Sequence, residues 1–197
     1  LLESAVQEGR NVVVAQAHSG INLFWNDLLR SLAIKSTTFA ATPRAKGRND
    51  RMQMVSTFGS SGAQLGFLKV AKAIRQGQHL VRLFPDGSAG GDRVHGTVLG
   101  VPASIGAGAA RLAWMAGAAT FFLGSRWLDD GRLELYAMPG PIADPCVGQE
   151  AFERAFAAFY FERLNEIAKG APEDMGGSGG AWAADTHSGA AALGDVA

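Results

Sequence analysis

The sequence predicts a mixed α/β domain with a largely parallel central sheet flanked by helices, and three observations carry that expectation. Short apolar, β-branched runs of strand length recur at residues 11–17, 79–84 and 118–124, as in strands buried on both faces. Amphipathic stretches of helical length lie between such runs. Polar, Gly-rich clusters follow two of the runs, where an α/β sheet places its functional loops. The chain has 197 residues, and domains usually hold roughly 100–200. One core is therefore expected over residues 1–174, followed by a disordered Gly/Ala-rich tail at 175–197.

Each element has its own signal. Residues 1–9 read as the end of a helix stopped near Gly9, and residues 11–17 (NVVVAQA) as a buried strand. His18-Ser19-Gly20 follows at once. A helical pattern then covers residues 23–35, with Leu28, Leu29 and Leu32 on one side, and a second strand covers 36–41. Residues 42–51 (TPRAKGRNDR) form a polar, basic loop. An amphipathic helix at 63–76 ends at Gly77, a natural C-cap. The strand at 79–84 runs into Pro85-Asp86-Gly87-Ser88-Ala89-Gly90-Gly91, and residues 97–99 extend a short strand. Helices at 106–115 and 150–169 and strands at 118–124 and 133–138 complete the reading.

Composition excludes several classes of function. Eighteen basic and 18 acidic groups leave a formal net charge of zero, so there is no basic excess to neutralise nucleic-acid phosphates. One Cys cannot form an internal disulfide, which suits a reducing compartment at least as well as a secreted one. Residues 1–10 lack the basic-then-apolar order of a signal peptide. The most apolar stretch, 98–122, is broken by Pro102, Arg111 and several Gly, so no membrane-spanning helix is expected. The expectation is a cytoplasmic chain, at most peripheral on the inner membrane.

Familiar catalytic motifs are missing. The chain has no GxxxxGK[ST] for phosphate cradling and no GxSxG serine elbow. Gly106-Ala107-Gly108 lacks the third Gly and the downstream acid of a dinucleotide site. His and Cys residues are scattered without ligand spacing, so no metal is assigned. Cys146 reads as inert, and His187 falls in the tail.

Two strand-to-loop junctions remain: His18-Ser19-Gly20-Ile21-Asn22, and residues 84–93 from Phe84 to Arg93. Loops past strand C-termini meet at one edge of an α/β sheet. A histidine there can serve as general base on a hydroxyl. It can equally cap the following helix while Asp86 closes a turn. The Gly run from Asp86 to Gly91, including Gly87 and Gly90, would let the backbone approach a ligand and take left-handed conformations.

The order of these segments is similar to a known family. His-x-Gly ends one strand, another runs into Phe-Pro-Asp-Gly, and Leu-Gly-Val-Pro-Ala (99–103), Gly-Ala-Ala-Arg-Leu-Ala (108–113) and Ala171-Pro172-Glu173 follow. Together they resemble the bacterial lipid A biosynthesis acyltransferases, of the lauroyl/myristoyl type within the lysophospholipid acyltransferase superfamily. The resemblance spans about residues 2–175 and rests on several short motifs, none specific alone. It implies a glycerolipid acyltransferase-like fold and transfer of a fatty acyl group from an acyl-carrier-protein or coenzyme A thioester to a hydroxyl or amine. The acceptor would be a lipid, a glycolipid or a natural product, and no cofactor beyond the thioester co-substrate is implied.

The resemblance also assigns roles. The family pairs a base with an acid five positions later, and His18 matches the base. Position 23 is Leu, a departure from the family. Asp27 lies one turn further along the helix, too far to substitute; Asn22 could orient the ring by a neutral hydrogen bond. Asp86, in the second motif, is the best remaining partner for His18, across the cleft. Arg44, Arg48 and Arg51, in the family's basic loop, and Arg93, after the Gly-rich loop, either meet a phosphate of donor or acceptor or belong to solvated loops. Phe24, Trp25, Leu28, Phe67 and Trp114 either line an acyl tunnel or fill the core. A degenerate lipid-binding member and a thioesterase-like hydrolase are the competing readings.

Overall fold

The apolar runs become the centre of a six-stranded sheet. A computed structural model describes residues 2–19, 23–31, 35–40, 52–56, 60–76, 79–87, 92–144, 146–172 and 175. In chain order the elements are α1 (Leu2–Gln7), β1 (Val12–Gln16), α2 (Leu23–Ser31), β2 (Lys35–Ala40), β3 (Met52–Ser56), α3 (Ser60–Ile74) and β4 (His79–Leu83). They continue with β5 (Arg93–Val98), β6 (Val101–Gly106), α4 (Gly108–Ala116), β7 (Ala119–Trp127), β8 (Leu133–Ile142) and α5 (Gln149–Gly170). The main sheet has the order β3-β2-β4-β1-β7-β8. Its first five strands are parallel, and β8 closes one edge antiparallel to β7. The chain is thus a mixed α/β fold, mostly parallel and flanked by helices.

Burial on both faces explains the unbroken apolar character of β1 and β4. Val13, Ala15 and Val81 point to one side, where α3, α4 and α5 contribute Ile74, Leu112, Phe156 and Leu164 to the larger core. Val12, Val14 and Leu80 point to the other, beneath Leu2, Val6, Trp25 and Leu29 of α1 and α2. Met175, placed by the sequence reading at the start of the tail, is buried in the larger core; residues 176–197 lie outside the described residues.

Two features differ from expectation. The segment read as a basic loop leads into a further edge strand, β3, whose residues MQMVS pair in parallel with β2. The region between the Gly-rich loop and α4 is a complete antiparallel hairpin, β5–β6, rather than a three-residue extension. Its two-residue turn puts both Leu99 (φ 51°) and Gly100 (φ 79°) in the left-handed region, the backbone that suits a tight hairpin. Because β6 occupies residues to Gly106, α4 starts at Gly108 instead of Gly106. The hairpin packs on α5, where Gly96 lies against the Phe161 ring with no room for a Cβ.

Topology fixes where loops converge. β1 and β4 are adjacent, with Ala15 opposite Leu83. The chain leaving β1 enters α2 on one face of the sheet, whereas the chain leaving β4 passes through the hairpin to α4 on the other. Connections that diverge from neighbouring parallel strands open a crevice at the strand C-termini, the usual ligand position in such sheets.

Candidate active site

His18 and Asp86 each lie three residues beyond the register partners Ala15 and Leu83, so the sheet itself delivers them to the same C-terminal edge. The structure brings the two together. His18 Nδ1 is 3.0 Å from Asp86 Oδ1, and the His18 backbone N–H donates to Asp86 Oδ2 at 2.8 Å. Two contacts to one carboxylate fix both the main chain and the ring of His18. With the Nδ1 proton directed at Asp86, Nε2 carries the lone pair and can accept a proton.

The two residues differ in exposure. Asp86 is fully buried, while the His18 side chain is 35% exposed. Phe84 supports the imidazole with ring centroids 4.5 Å apart. Gly87 also lies close to the ring. A Cβ there would come within 3.3 Å of both His18 Cε1 and the Phe84 carbonyl. Its φ lies outside the left-handed region, so what this glycine supplies is space for the ring rather than unusual backbone conformation.

A third residue belongs to this group and was not singled out from the sequence. Tyr160, fully buried on α5, directs its hydroxyl at Asp86 Oδ1 and at the Gln16 carbonyl, each at 3.1 Å. Burial, then the Asp86 charge, pushes the phenol well above its ordinary titration range. It therefore stays a neutral donor to the carboxylate. The available signal was faint. Phe152, Phe156, Tyr160 and Leu164 form a buried stripe on α5, and only Tyr160 adds a hydroxyl to it.

The remaining candidates divide sharply. Arg93 donates to the Gly87 carbonyl at 2.9 Å and to the Ser104 hydroxyl and carbonyl at 2.7 Å each. It ties the loop after Asp86 to the hairpin. Asp27 pairs with Arg30 on the exposed side of α2 and leaves the carboxylate role to Asp86. Trp25 is core, its indole N–H on the Gly124 carbonyl, whereas Phe24 is exposed. The Trp114 indole donates to the Val147 carbonyl, and Phe67 packs at the edge of the larger core. Asn22, Arg44, Arg48, Arg51 and Gly90, and the Leu23 side chain, lie outside the described residues. No group of three or more metal-ligating side chains occurs among the described residues.

A separate cleft of about 600 Å³ between β5 and α5, lined by Thr97, Phe161, Glu162, Asn165, Glu166 and Lys169, contains no histidine or cysteine. Among the described residues no helix is long and apolar enough to cross a membrane. Comparison of the chain with protein-family models and with curated proteins finds no match to either.

Proposed function

We propose that the chain is an acyltransferase of the lysophospholipid acyltransferase type, with His18 as general base and Asp86 as the residue that orients it. The observation that carries this reading is the His18–Asp86 pair at the C-terminal edge of adjacent parallel strands, with Nδ1 on the carboxylate and Nε2 left over for a substrate proton. In the reaction, the acceptor hydroxyl gives its proton to His18 Nε2 as its oxygen attacks the thioester carbonyl. A C–O bond forms, the C–S bond breaks, and the thiolate leaves with the proton held by the imidazolium. Asp86 stabilises that imidazolium from its buried position, as an orienting carboxylate does in catalytic triads.

This arrangement answers the departure at Leu23. The acid that the family supplies five residues after the histidine is supplied here from the end of β4. A lipid, glycolipid or natural-product acceptor and an acyl-carrier-protein or coenzyme A donor are the substrates this reading entails, with work at the cytoplasmic side of a membrane.

The same dyad would activate water equally well, which makes thioester hydrolysis the second reading. Following free thiol release from acyl thioesters of several chain lengths separates the two. Release that requires a hydroxyl acceptor means transfer; release without one means hydrolysis; no release from any thioester contradicts both.

A further inference from the structure

Arg82 is a buried cation whose partners, among the described residues, are all neutral. It is 4% exposed at the penultimate position of β4. Nε donates to the Thr38 hydroxyl at 3.2 Å, Nη1 to the Gln16 side-chain carbonyl at 3.1 Å, and Nη2 to the side-chain carbonyl of Asn26. A guanidinium has five N–H donors. One on each Nη therefore has no partner among the described residues. No carboxylate pairs with Arg82 there, and Arg30, another cation, acts on it unfavourably.

Position makes this unusual. In the sheet Arg82 lies opposite Val14, yet it bonds Gln16, two residues nearer the C-terminal edge. Its side chain leans toward the C-terminal edge of the sheet, where His18 lies. The guanidinium carbon lies 5.5 Å from the Phe84 ring centroid, the same ring that supports His18. One phenyl ring thus contacts both the general base and the uncompensated cation. Burial, then Arg30, pulls the Arg82 pKa down to about 10, the direction that an arriving anion reverses.

Burying a cation without a counter-charge is costly, and such groups are normally paired. We propose that Arg82 anchors an oxyanion subsite on the α2 side of the crevice, taking a phosphate or carboxylate group of a substrate beside His18. Both groups present paired oxygens that match a guanidinium fork. Gln16, Thr38 and Asn26 hold that fork in place before the ligand arrives. The subsite deepens the acyl-transfer reading by requiring an anionic substrate, but anion binding can be tested without turnover.

The test titrates inorganic phosphate and, separately, acetate into the full chain while following the Arg82 Nε–H resonance by NMR. A saturable shift with phosphate assigns a phosphate subsite, and one with acetate a carboxylate subsite. No saturable shift with either, up to tens of millimolar, overturns the proposal. His18→Ala should bind the anion as the parent does, so loss of the acyl-transfer reading would leave this result standing. Arg82→Lys, which keeps the charge but loses the fork, should raise KM by about tenfold for the substrate bearing the anion. A rise with a coenzyme A thioester but not with its phosphate-free N-acetylcysteamine analogue puts the anion on the donor. An equal rise in the acceptor KM with both donors puts it on the acceptor. Unchanged KM values for every substrate remove Arg82 from the substrate site.

Discussion

Asp86 and Arg82 lie four residues apart at the end of one strand, both buried, and their surroundings are opposite. Asp86 receives a backbone N–H, an imidazole N–H and a phenol O–H. Arg82 receives three neutral oxygens and no counter-charge among the described residues. A buried carboxylate satisfied by donors is complete in the free protein and can hold a base in a fixed orientation. A buried cation satisfied only by dipoles is complete only when an anion joins it. In the proposed reaction the first serves the chemical step and the second binds the anionic group of a substrate.

The comparison can be broken first at the histidine. His18→Ala should lower turnover by about 10²–10⁴-fold, the usual share of a general base. Its side chain lies outside both apolar cores, so the variant should stay folded, at a cost of about 1.5 kcal/mol for the imidazole bond lost from buried Asp86, and thiol release together with thermal melts checks both halves. Asp86→Asn should lose less turnover than His18→Ala, because it only orients the ring. Steady-state rates of the double variant should match those of His18→Ala, since groups acting as a unit are non-additive.

A smaller effect sharpens the same side. Tyr160→Phe removes one donor from Asp86 while the backbone and imidazole contacts of His18 remain, and should cost about 1.5 kcal/mol in chemical denaturation, the low end for a bond to a charged group. The phenol also gives stability a pH dependence. Its folded pKa is raised above the ordinary value of 10.0. The unfolded chain therefore releases this proton first, and stability falls as pH rises past about 10. Arg82, with its folded pKa lowered to about 10 by burial, contributes the opposite slope above that pH. Tyr160→Phe should flatten the alkaline fall in melting temperature relative to the parent.

The smallest effect is expected at position 23. Leu23→Glu restores the acid of the resembled family, but Asp86 already holds Nδ1 of His18. Turnover should stay where it was. A rise would mean that the imidazole can exchange partners, and that the carboxylate at the end of β4 is not its main anchor.

These contrasts also explain what was legible in the sequence. β1, β4 and β7 are buried on both faces and therefore read as apolar runs; His18 and Asp86 stand out as polar residues just past two of them. The β5–β6 hairpin did not stand out. Its strands mix polar and apolar residues and are partly exposed, one carries Pro102, and its turn puts Leu99, not Asn or Asp, in the left-handed region. β3 is five residues long, beside a basic segment that dominates the local pattern. Tyr160 sits in an aromatic stripe in which its hydroxyl leaves no periodic trace. Arg82 interrupts the strand His79–Leu83 with a charge. Its meaning depends on Gln16, Thr38 and Asn26, from three other elements, and no spacing along the chain brings those together.

The central claim is that Asp86 holds the proton of His18 on Nδ1, so that Nε2 faces the crevice as a base. Nitrogen-15 NMR of the ring reads this directly in the resting protein. The neutral imidazole should show its proton on Nδ1 in the parent and lose that fixed preference in Asp86→Ala. A parent ring protonated on Nε2 would turn a donor toward the substrate in place of a base, and would contradict the account.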